Sequence, residues 1–306
     1  MRNNIAVFGT VFIDCKGFAD ESYAPKGRNL GRISFVHGGV GRNVAEVLAL
    51  LGADVSFVST VDDTLQGHTV LERLTEAGVD VSNVRARQNG MGKWLLLNDC
   101  RGSQLASLSM LPDMQVMENT VLTNVGAIID NASHVVLEID MTEKITEAVL
   151  SAANECGKKV YVVTAKLTDT LKDPSLLKGT EFFVCNRIEA GMLFGRDTAD
   201  KTPFEMSDIL REGMNRLGIA SMAITMGSKG AVYRDRRTGQ EGFEPAVKTH
   251  TVDVSGAGDS FFAAAVASLV RGASLNEAVK KAVRVAAMTV AGEESVCTDL
   301  SRIIKV

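Results

Sequence analysis

Short apolar runs alternating with stretches of helical periodicity constrain this chain more than any other feature of it. Ile5 to Gly9, Val55 to Thr60, Val135 to Ile139, Val160 to Thr164, Phe182 to Cys185 and Ala220 to Thr225 are the runs. Each has the length and composition of a strand buried on both faces of a parallel sheet. Between the first two, Val44, Val47, Leu48 and Leu51 recur on one helical face and Gly52 follows as a stop. Leu65 to Ala77 (before Gly78), Thr142 to Asn154 and Phe204 to Leu217 read as further helices. Strands alternating with helices of this length predict an α/β fold, a doubly wound and mostly parallel sheet covered on both faces. With 306 residues, the whole of 1–306 reads as a single domain of this kind with room for a small accessory element.

Two stretches break the rhythm. Phe18 to Val36 is rich in glycine and charge and ends in the alternating segment Arg32 to Val36. Lys93 to Cys100 and Gln104 to Ser109 read as a hairpin turning at Arg101 and Gly102. Together, about 15–37 and 91–111 predict a small β-sheet standing off the main domain as a lid over a site. Its apolar positions Ile33 and Phe35 suit pairing with the lid of a second copy, giving a homodimer, or burial on the same subunit.

Composition narrows the function classes. Apolar residues make up 45% and charged residues 23%, so the chain is globular rather than disordered. With 33 basic against 37 acidic residues and no basic run, nucleic acid is not expected as a partner. No apolar run is long enough to span a bilayer, so a membrane is not expected either. Cys15, Cys100, Cys156, Cys185 and Cys297 are far apart and form no CxxC pair. That suggests neither a zinc site nor a disulfide framework and fits free thiols in a cytoplasmic protein.

The chemistry concentrates in the run from Asp253 to Ser260, just before the helical stretch Phe261 to Val270. Gly256, Ala257 and Gly258 let backbone N–H groups approach an anion, and the following helix adds its positive dipole end. Such an anion hole suits a transferring phosphoryl group, with Asp259 placed to take a proton from an attacking hydroxyl. A plain aspartate N-cap after a glycine turn is the alternative. Thr225, Gly227, Lys229 and Gly230 form a glycine-rich turn between two strands that can wrap nucleotide phosphates. Asn186 and Glu189 follow a strand and open a helix; they suit hydrated Mg²⁺ beside phosphates, or a capping box. Asp14 lies past the end of the first strand, where ligands gather in open α/β sheets and a carboxylate suits paired hydroxyls.

Two nucleotide motifs fail. Gly39 and Gly41 resemble a dinucleotide fingerprint, but Val44 stands at its third glycine and the motif does not follow the first strand. That argues against a dinucleotide-dependent oxidoreductase. Neither Gly92-Lys93 nor Gly157-Lys158 is followed by Ser or Thr, so there is no Walker A.

In order along the chain, Gly9 with Asp14, Gly38-Gly39 with Asn43, Asn186 with Glu189, Thr225 to Gly230 and Gly256 to Asp259 resemble the ribokinase family of carbohydrate and nucleoside kinases, the phosphofructokinase-B type. The resemblance implies a ribokinase-like domain with a β-sheet lid and transfer of the ATP γ-phosphate to a substrate hydroxyl. It makes Asp259 the base, Gly256 to Gly258 the anion hole, and Asp14, Gly38, Gly39 and Asn43 the sugar site. Asn186 and Glu189 would organise Mg²⁺, and Thr225, Gly227, Lys229 and Gly230 would line the ATP site. Glu138, after a strand, is a further candidate for substrate contact or a structural residue. A monovalent cation such as K⁺ is implied near Asp253, Ser255 and the Ala291 to Ser295 loop.

Two positions depart from the family pattern. Asp253 is followed by Val254 where Asp-Thr is frequent, and Thr164-Ala165-Lys166 lacks the usual Asp or Asn. The run Gly38 to Ala45, with Gly31 to Phe35 before it, is most similar to pseudouridine kinases, which implies the 5′-hydroxyl of pseudouridine as acceptor. Were Arg42 a surface residue of its helix, that likeness would be local. A ribokinase- or fructokinase-type sugar kinase, or a catalytically silent sugar-binding homologue, are the alternatives.

Overall fold

A computed structural model describes residues 4–100, 103–139, 141–165 and 167–300. In chain order the strands are β1 (Asn4–Phe8), β2 (Phe12–Ala19), β3 (Gly31–Gly38), β4 (Asp54–Val61), β5 (Val79–Ala86), β6 (Gly92–Asn98) and β7 (Gln104–Met110). They continue as β8 (His134–Ile139), β9 (Lys159–Thr164), β10 (Phe182–Asn186), β11 (Ser221–Thr225), β12 (Gly230–Asp235) and β13 (Glu241–Pro245). The helices are α1 (Val40–Leu50), α2 (Leu65–Glu76), α3 (Met114–Asp130), α4 (Glu143–Glu155) and α5 (Thr168–Lys172). After them come α6 (Arg187–Phe194), α7 (Pro203–Leu217), α8 (Ala257–Leu269) and α9 (Leu275–Val290).

The large sheet runs β13-β12-β11-β10-β9-β8-β1-β4-β5. From β11 to β5 every neighbour pair is parallel, while β12 and β13 close one end antiparallel. Successive residues of a strand face opposite layers. Ile5 and Val7 join a core with α1, α2, α8 and α9, whereas Ala6 and Phe8 join the other core with α3, α4, α6 and α7. Helix α8 is buried at every position from Ser260 to Ser268, so its N-terminus is held rigidly. The expected doubly wound sheet is therefore present.

Strand order reverses at β1, whose chain-sequential neighbours lie on one side and later strands on the other. Such a switch point opens a crevice at the carboxyl ends of the strands. Gly9 there admits close passage of another backbone: a Cβ on it would fall 2.5 Å from the Gly41 Cα. The start of α1 thus lies directly over the end of β1.

The small sheet, ordered β3-β2-β6-β7, is also present as a separate layer. It begins at Phe12, earlier than the sequence suggests, and one of its pairings, β2 with β6, is parallel. The turn expected at Arg101 and Gly102 lies outside the described residues; the strands flanking it, β6 and β7, pair antiparallel. Period-two alternation puts Phe12, Asp14 and Lys16 on one face of β2, and Trp94 pairs with Asp14 from β6. On the sheet's other face Ile33 and Phe35 are 70% and 63% exposed, so the same subunit does not bury them. All five cysteines are free. Among the described residues no helix is long and apolar enough to cross a membrane.

Candidate active site

A cavity of 510 Å³ lies between the switch point and the small sheet. Thr10, Asp14, Gly39, Asn43, Glu138, Ser255, Gly256 and Asp259 contribute its polar lining. Phe12, Val40, Trp94, Leu111, Met114 and Met141 contribute its apolar lining.

Asp259 stands at the third residue of α8, not at its N-cap. The N-cap is Gly256, with φ of 74° and no side-chain cap. A Cβ on Gly256 would fall 1.9 Å from the Ser295 carbonyl oxygen, so both the left-handed backbone and the close approach require glycine. A helix start without a side-chain cap leaves backbone N–H groups for a ligand. A Cβ on Gly258 would meet no atom within 4 Å, so the space in front of that N-terminus is open. The simple-cap reading of Asp259 is thereby removed on geometric grounds.

The Asp259 carboxylate accepts a hydrogen bond from Asn43 Nδ2 at 2.8 Å. Its acidity is strongly perturbed. Burial raises its pKa to about 7, the Asn43 hydrogen bond opposes this, and the charges of Glu138, Asp14 and Glu189 add to it. Side-chain exposure is intermediate because one flank faces the cavity, but the surrounding protein still desolvates the carboxylate. Asp14 is 7% exposed, and burial lifts its carboxyl to about 6 against the opposing charges of Lys16 and Arg42.

Asn43 is held in turn by Arg42, which the sequence did not mark as interior. Arg42 is fully buried; its Nη1 donates to Asn43 Oδ1 at 2.7 Å and to the His37 carbonyl at 3.0 Å. A guanidinium only donates, so it fixes the oxygen of the Asn43 amide toward itself and the NH₂ toward Asp259. Arg42 Nη2 also pairs with Glu46. Glu46 pairs with Arg73 at 2.8 Å, and Arg73 reaches Glu294 at 2.7 Å. Burial lowers the Arg42 pKa to about 10, still far above neutral, so this guanidinium stays charged.

Glu138 lines the cavity, and its oxygens are engaged by Thr10 and Gly41. It accepts from the Thr10 N–H at 2.7 Å, the Thr10 hydroxyl at 2.8 Å and the Gly41 N–H at 2.9 Å. These bonds clamp the end of β1 to the start of α1. Gly38 closes β3 opposite Phe12, with the Asp14 carboxylate packed on it, and Gly39 is the N-cap of α1.

The residues expected at the nucleotide lie further along the same carboxyl edge of the sheet and do not line this cavity. Asn186 ends β10, and its Oδ1 accepts from the Ile188 and Glu189 N–H groups, both at 2.9 Å. Glu189 Oε2 accepts from the Asn186 N–H at 2.8 Å, completing a capping box. Thr225 ends β11, Gly227 to Lys229 make a single 3₁₀ turn, and Gly230 opens β12. Among the described residues no group of three or more His, Cys, Asp or Glu side chains is arranged to hold a metal by itself. Mg²⁺ bound largely through water and phosphate oxygens needs fewer protein ligands. The oxygen donors at Asn186 and Glu189, and the excess of carboxylates that Asp259 feels, fit such an ion.

Phe12, Thr10, Arg42, Lys16 and Trp94 were not expected at the site. Phe12, Asp14 and Lys16 share an i, i+2, i+4 spacing that would have signalled one strand face, had β2 been recognised as a strand.

Comparison with known proteins agrees with this geometry. Residues 2–299 match the pattern of the pfkB family carbohydrate kinases. The guanosine-inosine kinase of Exiguobacterium acetylicum is 34% identical over 294 residues, covering 96% of each chain. The pseudouridine kinase of Escherichia coli is 27% identical over 307 residues, covering 98% of this chain and 94% of its own. The sequence resemblance to pseudouridine kinases is thus real, but the purine nucleoside kinase shares more. An Arabidopsis thaliana ribokinase solved with ribose and ATP superposes with a TM-score of 0.82 at 21% identity, each chain covered fully. Ordered cavity, helix terminus and whole-chain similarity converge: this chain belongs to the pfkB family of carbohydrate kinases.

Proposed function

We propose that this protein is an ATP-dependent nucleoside kinase that phosphorylates the 5′-hydroxyl of a ribosyl group. The observation that carries this reading is Asp259, set at the open N-terminus of α8 and lining a cavity that presents both polar and apolar side chains. Asp14 and Asn43 suit the hydroxyls of a ribosyl group. Trp94, Phe12, Leu111 and Met114 suit the face of a base, which a free sugar would leave in contact with bare apolar surface. The volume falls in the range of small-molecule sites.

In this reading Asp259 accepts the proton of the attacking hydroxyl. The backbone at Gly256 to Gly258 and the dipole of α8 stabilise charge developing on the transferred phosphoryl group. Gly227, Lys229, Gly230 and Thr225 cradle the nucleotide. Asn186 and Glu189 are the residues that would hold Mg²⁺, whose charge would offset that of the phosphates. The small sheet acts as a lid, its inner face meeting the substrate through Phe12, Asp14 and Trp94.

A purine nucleoside is favoured by the higher identity to a guanosine-inosine kinase, and pseudouridine is the second reading, supported by the Gly38 to Ala45 run. ADP release measured across guanosine, inosine, pseudouridine, uridine, ribose and fructose tests both. Turnover confined to the nucleosides is the expected outcome. Turnover on the free sugars alone overturns the nucleoside reading, and no turnover on any of them favours a silent binding homologue.

The outer face of the small sheet, with Ile33, Phe35, Leu95 and Leu108 49–71% exposed, is proposed to pair with a second copy. Light scattering should give about twice the chain mass of 32.7 kDa. A mass equal to one chain refutes this pairing.

A further inference from the structure

The family's monovalent cation, expected beside Asp253 and Ser255, meets a different arrangement here. Lys16 projects from the inner face of β2 with its side chain only 2% exposed, and its Nζ lies 2.5 Å from Asp253 Oδ2. The other carboxylate oxygen, Oδ1, accepts the Ser255 N–H at 2.8 Å. Both oxygens of Asp253 are therefore engaged, and its single negative charge is matched by a tethered positive one. Ser255 leads directly into Gly256, so this pair fixes the approach of the chain to the N-terminus of α8.

A second cation would find little here. Asp14, a carboxylate that feels the Asp253 charge, also feels Lys16 and Arg42 and has its oxygens against Gly38 in the cavity. The Ser295 hydroxyl on the facing loop is buried without a partner, but as a neutral oxygen it offsets none of the Lys16 charge. Placing K⁺ beside a buried ammonium that shares the same carboxylate would set two like charges together in a poorly solvated site.

We propose that the Lys16 ammonium is a built-in replacement for the monovalent cation, so that the anion hole is assembled without K⁺. Lys16 is a positioning residue in this scheme: it acts on the hole through Asp253 and Ser255, not on the reacting atoms. The proposal rests on the kinase reading, and its test separates the two.

Initial rates with MgATP and whichever nucleoside turns over are compared in K⁺, Na⁺ and N-methylglucamine buffers of equal ionic strength. Melting temperature is measured in the same buffers without substrate. For the native protein, equal rates and equal melting temperatures in all three are expected. Lys16→Met should lose about 10²-fold in rate in N-methylglucamine, the size of effect seen when an anion-hole element is removed. K⁺ or ammonium should restore much of that loss and raise the melting temperature of this variant alone. Lys16→Arg, which keeps the charge, should stay indifferent to K⁺. Activation of the native protein by K⁺ of about tenfold or more over N-methylglucamine, a free-energy difference of about 1.4 kcal/mol, overturns the proposal. So does selective stabilisation of the native protein by K⁺, a readout that stands even if no nucleoside is turned over or Lys16→Met does not fold.

Discussion

Asp259→Asn should lower kcat by about 10²–10⁴-fold, the range spanned by removal of a general base. ATP affinity should change little, because the side chain lines the cavity and not the proposed nucleotide site at the ends of β10 and β11. Stability should move the other way. Burial holds the carboxyl at about 7 against 3.8 for the free side chain, so between those values the folded state binds more protons than the unfolded one. Stability from this group is present at low pH and is lost as pH rises through about 7. A neutral amide escapes that loss, and the variant should therefore melt higher than the native protein at pH 8. The native pH profile follows from the same value: kcat/KM should rise tenfold per unit below about 7 and flatten above it. Near-native turnover of the variant, or a profile flat down to pH 5, would remove Asp259 as the base.

Arg42→Met should be the most damaging substitution away from the reacting atoms. Breaking a buried ion pair by deleting one partner costs roughly 3–5 kcal/mol, because the other charge stays behind. Glu46, 1% exposed, would keep only Arg73. A structural loss alone would leave chemistry in the surviving folded protein untouched. Here the Asn43 amide also loses the donor that orients it, and with it the hydrogen bond that favours ionised Asp259. The acid limb of the pH profile should accordingly shift to higher pH. Chemical denaturation followed by a pH–rate profile on the folded variant checks both parts. Native stability, or an unmoved acid limb, would show that Arg42 does not support the base.

Much of this protein is legible in its sequence, for a physical reason. Strands such as β1 and β8 are buried on both faces, so their apolar runs have only one economical place in an α/β fold. Gly256, at the head of the Gly256 to Asp259 run, is legible because backbone crowding at Ser295 leaves no alternative residue. Strand β2 is not legible in the same way. It carries Asp14 and Lys16 inward, where a half-buried strand would carry apolar side chains, so period two reads as polar and irregular. The partner that makes a buried Lys16 tolerable, Asp253, lies more than two hundred residues on. Arg42 shows the same limit: Glu46 at i+4 suggests an exposed helical pair, and only Arg73 and Glu294 reveal a buried network. Asn186 and Glu189 mark the opposite case, since their spacing reads directly as a capping box and a capping box is what the structure holds.

Phosphoryl transfer to a ribosyl 5′-hydroxyl with Asp259 as base is tested most directly by phosphorus NMR of the reaction mixture. Inosine or guanosine incubated with MgATP and the native protein should give a nucleoside 5′-monophosphate resonance matched one for one by ADP. The same mixture with Asp259→Asn should show almost none. ADP accompanied only by inorganic phosphate, phosphate on a secondary hydroxyl, or equal 5′-monophosphate from both proteins would contradict it.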